Sequence, residues 1–220
     1  MSEELEARRP LKVRSANFSK QIAKWLSQRN ITPNQISIAS IIFALLASFS
    51  FLSIPNSSGA WLPALFAGLF IQMRLLCNLF DGMVAIEGGK STPAGELFND
   101  IPDRIADPLI LIAAGYAISV VPWSDALGWL AGLLAVMTAY IRTLGVSMGA
   151  PVSFMGPMAK QHRMAVMTGA AVLTIIESFL VEGFVVGYVI LFSLIVIVIG
   201  SLVTVINRAK AIYKYLENKS

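Results

Sequence analysis

Six apolar runs, each near the length of one membrane-spanning helix, dominate this sequence. They cover residues 34–54, 61–86, 96–120, 126–148, 163–181 and 184–207. A helix needs about 20 residues to cross the roughly 30 Å of bilayer hydrocarbon, where the backbone must satisfy its own hydrogen bonds. The runs do not alternate between polar and apolar residues, which excludes a membrane barrel of strands. The sequence therefore predicts an all-α integral membrane protein with six transmembrane helices.

Composition agrees with this prediction. The chain of 220 residues is 56% hydrophobic and only 14% charged, whereas a soluble domain has about 25% charged residues. We predict a six-helix transmembrane domain over residues 34–207, a cytoplasmic segment over 1–33 and a basic cytoplasmic tail over 208–220. Thr32 and Pro33 have the order of a helix N-cap followed by proline in the first turn, which predicts the start of the first span.

The distribution of Lys and Arg predicts the orientation. Residues 55–60, 121–125 and 181–183, which link alternate runs, contain no Lys or Arg. The other flanks contain Arg8, Arg9, Lys12, Arg14, Lys20, Lys24, Arg29, Lys90, Lys160, Arg163, Arg208, Lys210, Lys214 and Lys219. The positive-inside rule then places both termini in the cytoplasm of a multi-pass protein of the cell (inner) membrane. The net charge of +4 is membrane-surface charge, and no nucleic-acid partner is expected.

A short amphipathic helix is predicted before the first span. Phe18, Ile22, Trp25 and Leu26 fall on one helical face, and the neighbouring lysines point away from it. Such a helix is expected to lie in the lipid headgroup layer. The alternative is a solvated basic arm.

Polar residues gather between the second and third runs and form two helical faces. The first face consists of Asn78, Asp81 and Ala85, and the second of Gly95, Asn99, Asp103 and Asp107. Because consecutive spans run antiparallel across a short link, these groups are expected at similar depth near the cytoplasmic end. An oxygen-rich cluster suits a hard cation such as Mg²⁺, and this cation suits phosphate. Spacing alone leaves open a structural role, in which these residues join helices and Arg104 neutralises an acidic neighbour.

Basic residues are expected at the same level as the acidic cluster. They are Arg142, Lys160, His162 and Arg163, and they could form a rim for a substrate with two phosphates. Ordinary positive-inside flanking explains Lys160 and Arg163 as well, but Arg142 less well. His162 is predicted to belong to the rim and not to act as a ligand or an acid–base group.

Two charged residues are predicted to lie deeper than the others. Arg74 is near the middle of the second run, and Asp107 is about as far into the third run. Unpaired charges are costly inside a bilayer. We therefore predict that Arg74 and Asp107 form a structural ion pair.

The acidic stretch resembles the motif of the CDP-alcohol phosphotransferase family. That motif is Asp-x₂-Asp-Gly-x₂-Ala-Arg-x₈-Gly-x₃-Asp-x₃-Asp on two helices of a six-helix membrane fold. The corresponding residues are Asn78, Asp81, Gly82, Ala85, Ile86, Gly95, Asn99 and Asp103. All intervals match over 26 residues. The chain departs from the motif where Asn78 and Asn99 replace aspartates and Ile86 replaces the arginine.

The resemblance implies a function and a set of site residues. It implies transfer of a phosphatidyl-type group from a CDP-linked donor, often CDP-diacylglycerol, to an alcohol acceptor, with release of CMP during phospholipid biosynthesis. The implied cofactor is Mg²⁺ or Mn²⁺, as one ion or two, and membrane lipid and a homodimer are implied as partners. The implied metal ligands are Asn78, Asp81, Asn99 and Asp103.

Roles for the other residues follow from the same resemblance. Asp81 and Asp103 would be catalytic, and Asp103 would act as ligand or general base. Gly82, Ala85 and Gly95 would give room to cytidine and pyrophosphate. Lipid phosphate would contact Arg142, Lys160 and Arg163.

Two other functions compete with this interpretation. The two Asn substitutions reduce the charge of the four motif positions from −4 to −2, which favours an inactive relative that binds a CDP-lipid or a partner enzyme. A small transporter needs charge near the membrane midplane and a path to the far side. Only Arg74 and Asp107 are expected at that depth.

Overall fold

The computed structural model describes residues 17–55, 59–90, 92, 94–180 and 187–218, without the side chains of Glu87 and Glu96. Within these residues the secondary structure is all α-helix, as predicted. The helices are α1 (Asn17–Gln28), α2 (Pro33–Ser53), α3 (Trp61–Glu87), α4 (Gly95–Tyr116), α5 (Ser124–Ser147), α6 (Lys160–Leu180) and α7 (Tyr188–Glu217). The basic residues predicted at positions 8–14 lie outside the described residues.

Five of these helices, α2, α3, α5, α6 and α7, are long and apolar enough to cross a membrane. The helix α4 is long enough but carries the charged residues of the predicted site and two prolines, Pro102 and Pro108. The chain is thus a helical membrane protein, while six spans and cytoplasmic termini remain predictions. The helix α7 continues to Glu217, so the segment predicted as a tail is helical over residues 208–217.

The first two helices begin as the sequence indicates. Thr32 caps α2: its hydroxyl accepts from the backbone N–H of Gln35, and the Gln35 side chain accepts from the backbone N–H of Thr32. The predicted helix α1 is present and buries Ser19 and Ala23. Phe18 and Trp25 are exposed, as expected for side chains that contact headgroups, although the position of α1 in the membrane remains a prediction.

The six long helices form a closed ring of neighbours in the order α2, α3, α6, α7, α5 and α4. Small side chains let these helices approach closely, among them the fully buried Ala44, Ala64, Ala106, Ala131 and Ala171. The helices α3 and α4, which carry the motif, contact each other only slightly, and α2 packs against both. The polar side chains of α3 and α4 therefore face each other across the interior of the ring.

The helices α4 and α5 approach each other closely at Gly115 and Gly128. A Cβ on Gly128 would lie 2.9 Å from both the Gly115 Cα and the Leu111 carbonyl oxygen. We expect Gly128→Ala to lower the free energy of unfolding by about 1–3 kcal/mol, because the backbones must separate. Thermal unfolding in detergent measures this.

The matched control is Gly169→Ala on α6, where a Cβ would meet none of the described atoms within 4 Å. This exposed helical position should gain about 0.5–1 kcal/mol from the better helix former. Equal effects of the two substitutions would contradict the close α4–α5 contact.

Candidate functional site

A cavity of about 240 Å³ lies where the C-terminal ends of α3 and α5 meet the N-terminal ends of α4 and α6. Six of the predicted site residues line it: Asn78, Asn99, Asp103, Arg142, Lys160 and Arg163. The other four, Asp81, Gly82, Ala85 and Gly95, are not part of its lining. Of the four polar groups that helical spacing predicted to converge, Asn78, Asn99 and Asp103 line this cavity and Asp81 does not.

The deepest part of the site is an ion-pair cluster around Arg74, whose side chain is fully buried. Its Nη2 atom lies 2.6 Å from Asp107 Oδ1 and 2.9 Å from Asp103 Oδ1. The predicted pair of Arg74 and Asp107 is thus confirmed. Asp107 also accepts a hydrogen bond of 3.0 Å from Arg163 Nη2. The contact with Asp103 connects this buried cluster to the cavity.

Asp103 is the centre of the site, since donors from three other residues converge on its carboxylate. Oδ1 accepts from Arg74 and from the side-chain amide of Asn78, which is 3.2 Å away. Oδ2 accepts from the ammonium of Lys160. The side chain of Asp103 is nevertheless 12% exposed, so the carboxylate borders the cavity.

Asp81 has a different environment from Asp103. Its Oδ2 accepts a hydrogen bond of 2.8 Å from the Ser37 hydroxyl on α2, and its Oδ1 accepts from the backbone N–H of Gly82. Sequence reasoning did not identify Ser37 as a contact of the motif. The position of Ser37 one turn into α2 gives no signal without knowledge that α2 packs against α3.

The mouth of the cavity has its own charge cluster. Asp100 accepts from Arg104 at 2.8 Å and from Arg142 at 3.4 Å. The guanidinium of Arg142 also lies over the ring of Phe154. Arg104 thus neutralises an acidic neighbour, as the structural interpretation predicted. His162 is exposed, and its Nδ1 lies 2.8 Å from the Pro157 carbonyl oxygen.

Arg163 is buried and does not belong to the exposed rim. Besides Asp107 it donates to the Thr138 hydroxyl and the Met158 carbonyl oxygen. Arg208 of α7 also lines the cavity, where it donates to the carbonyl oxygens of Thr138 and Met155. Sequence reasoning missed Arg208, although its spacing from Thr204 puts both on one polar face of α7.

No protein-family model matches the chain. A phosphatidylinositol phosphate synthase of Streptomyces avermitilis is 24% identical over 201 residues, which cover 84% of this chain and 74% of that protein. An archaetidylinositol phosphate synthase of Pyrococcus horikoshii is 31% identical over 91 residues, 41% of this chain and 44% of that one. The inner membrane protein YnbA of Escherichia coli is 29% identical over 144 residues, 63% and 66% of the two chains.

Solved structures of Mycobacterium tuberculosis phosphatidylinositol phosphate synthase share the fold. The structure with CDP-DAG bound has a TM-score of 0.73 at 14% identity, covering 90% of this chain and 94% of that one. The complex with manganese and citrate has a TM-score of 0.72 at 15% identity, covering 89% and 88%. The chain therefore has structural and distant sequence similarity to phosphatidylinositol phosphate synthases of the CDP-alcohol phosphotransferase family.

The side chains can be tested for their fit to the divalent metal that this family implies. In the described part of the chain, no three His, Cys, Asp or Glu residues stand close enough to hold an ion. Each carboxylate oxygen of Asp81 already accepts one hydrogen bond, one from Ser37 and the other from Gly82. The carboxylate of Asp103 accepts hydrogen bonds from Arg74, Lys160 and Asn78. This arrangement of side chains does not fit a divalent ion. The assignment of Asn78, Asp81, Asn99 and Asp103 as metal ligands stays a prediction that these hydrogen bonds do not support.

Proposed function

We propose that this chain transfers a phosphatidyl-type group from a CDP-linked donor, such as CDP-diacylglycerol, to a hydroxyl acceptor in phospholipid biosynthesis. The observation that carries the proposal is the Asp103 carboxylate at the border of a cation-lined cavity, on a fold shared with an enzyme solved with CDP-DAG bound. We place the site at the cytoplasmic face of the inner membrane, in agreement with the positive-inside rule.

The chemistry requires one bond to form and one to break. The acceptor hydroxyl oxygen attacks the phosphorus of the phosphatidyl phosphate, and the bond from that phosphorus to the oxygen of CMP breaks. CMP leaves with the electron pair, and the hydroxyl proton passes to Asp103. Lys160 at the same carboxylate is positioned to stabilise the charge that grows on the leaving phosphate.

The cavity also favours a particular class of acceptor. Arg104, Arg142, Lys160, Arg163 and Arg208 line it against Asp100, Asp103 and Asp107. This excess of cations suits an acceptor that carries its own phosphate, since guanidinium groups bind phosphate through paired N–H donors. We propose a phosphorylated alcohol as acceptor, with Arg142 at the cavity mouth as a contact to its phosphate.

Gly82, Ala85 and Gly95 do not line the cavity, and we propose that they give room to the cytidine and to the start of the pyrophosphate, which extends from there to Lys160 in the cavity. Among the described residues, a Cβ on Gly95 would meet only the Thr92 hydroxyl oxygen, at 3.7 Å. As far as the described residues go, the start of α4 therefore leaves space at Gly95 for a ligand. The homodimer stays a prediction by family analogy.

The test of the proposed function is CMP release by the purified protein in detergent. CDP-diacylglycerol is supplied with glycerol phosphate, inositol phosphate or serine, each in Mg²⁺, in Mn²⁺ and in EDTA. We expect release with a phosphorylated alcohol and none with serine. Absence of CMP release with all three acceptors in all three buffers would overturn the proposal.

Arg142→Gln tests the acceptor site. We expect the KM for the phosphorylated acceptor to rise roughly ten-fold with little change in kcat, since one charge-assisted contact is lost. Lys210→Gln, which removes an exposed cation from α7, is the control and should leave both constants unchanged. An equal effect on donor and acceptor KM would contradict the assignment of Arg142.

A second candidate function is donor binding without turnover, as an inactive relative. Asn78 and Asn99 favour it, because they remove two of the four carboxylates of the motif. The combined variant Asn78→Asp/Asn99→Asp separates the two candidates. CMP release that appears only in this variant favours the inactive relative, and release by the wild type excludes it.

A further inference from the structure

The charges at the centre of the site are nearly balanced by the protein itself. Arg74, Lys160 and Arg163 carry three positive charges, and Asp103 and Asp107 carry two negative charges. Every member of this cluster contacts an opposite charge. The cluster therefore has an excess of one positive charge beside the cavity.

We propose that the Lys160 ammonium, seated on the Asp103 carboxylate, takes the place of a divalent ion, so that this chain binds the pyrophosphate of its CDP-linked donor without metal. The proposal rests on the proposed function, because it concerns the same donor. It goes beyond that function by replacing the metal with a residue of the chain.

The geometry around Lys160 supports this role. An ammonium has three N–H donors, and one is directed at Asp103. The side chain of Lys160 lines the cavity and is 29% exposed, so the other donors can reach a phosphate there. A divalent ion beside Asp103 would instead be repelled by Lys160 and Arg74, and the burial of Arg74 and Asp103 limits the screening of this repulsion.

The departures from the family motif are consistent with the same arrangement. The Asn78 amide nitrogen lies 3.2 Å from Asp103 Oδ1 and donates to it. An aspartate at position 78 would put two carboxylates at this distance, where they repel each other unless a cation or a shared proton lies between them. With asparagine, Lys160 and Arg74 suffice, and no additional ion is required.

The first arm of the test measures donor binding, by thermal unfolding of the full chain in detergent with CDP-dioleoylglycerol, in EDTA and in Mn²⁺. We expect the donor to stabilise the wild type equally in both buffers. Lys160→Met should weaken donor affinity in EDTA roughly ten-fold, and Lys160→Arg, which keeps the charge, should retain most of it. Lys214→Met, at an exposed lysine of α7, should behave as the wild type.

The second arm measures Mn²⁺ binding without donor, from the electron paramagnetic resonance signal of free Mn²⁺. We expect the wild type to leave the signal unchanged and Asn78→Asp/Asn99→Asp to reduce it. Stabilisation only in Mn²⁺, Mn²⁺ binding by the wild type, or unchanged donor affinity of Lys160→Met would each overturn the proposal. Stabilisation in neither buffer would overturn donor binding, and with it the proposed function as well.

Discussion

Asp107→Asn is expected to lower the free energy of unfolding by about 3–5 kcal/mol, the cost of leaving a buried charge without its partner. Asp107 is buried and contacts both Arg74 and Arg163, which are buried as well. After the substitution Arg163 has no carboxylate partner, and Arg74 and Lys160 keep only Asp103. Thermal or denaturant unfolding in detergent measures the loss.

The control for Asp107→Asn is Asp100→Asn, about two helical turns away on α4. Asp100 also pairs with two arginines, but its side chain is 43% exposed. Its loss should cost about 0–1 kcal/mol, as for other solvent-exposed ion pairs. Equal losses for the two variants would contradict a desolvated cluster.

A double variant separates charge balance from lost contacts. Arg74→Met alone leaves each carboxylate with one cation, so it should cost less than Asp107→Asn. Asp107→Asn/Arg74→Met removes one charge of each sign and should recover part of the loss of Asp107→Asn. Additive losses in this cycle would show that the two side chains do not interact.

The sequence was sufficient for features that depend on distance along one helix. Counting residues from the helix ends put Arg74 and Asp107 at the same depth, and the structure pairs them at 2.6 Å. The Thr32 cap likewise depends only on residues of its own turn. Depth and capping are local properties, so a single sequence predicts them.

The lateral order of the helices could not be predicted in the same way. Periodicity gives the polar face of a helix but not the neighbour that it meets, so the Ser37 contact with Asp81 was missed. For the same reason Arg163 was expected on the rim, whereas it turns inward to Asp107. The ring order depends on packing between helices distant in sequence, for which the apolar runs carry no distinct signal.

The sequence also predicted contacts between residues of the motif, but not the contacts that motif residues make with other parts of the chain. The motif spacing brought Asn78 and Asp103 together, as the 3.2 Å contact between them demonstrates. The motif spacing did not indicate that Lys160, 57 residues after Asp103, would donate a hydrogen bond to the same carboxylate. The proposed chemistry depends on this contact between Lys160 and Asp103, which only the three-dimensional structure reveals.

The substitution with the largest expected effect on activity is Asp103→Asn. We expect CMP release to fall by about 10²–10⁴-fold, the usual contribution of a positioned general base. Asparagine keeps the size of the side chain but cannot take the acceptor's proton and no longer holds Lys160 by charge. The loss should appear in kcat, measured with donor and acceptor at saturation.

Two further measurements decide whether Asp103 acts in the reaction or only in the fold. Thermal unfolding of Asp103→Asn in detergent reports any loss of structure, and Asp103→Glu, which keeps the carboxylate on a longer side chain, should recover part of kcat. Asp100→Asn, at the cavity mouth, should raise the acceptor KM more than it changes kcat, because its partner Arg142 is the proposed phosphate contact. A folded Asp103→Asn variant with wild-type kcat would remove Asp103 from the mechanism and leave it as an anchor for Lys160 and Arg74.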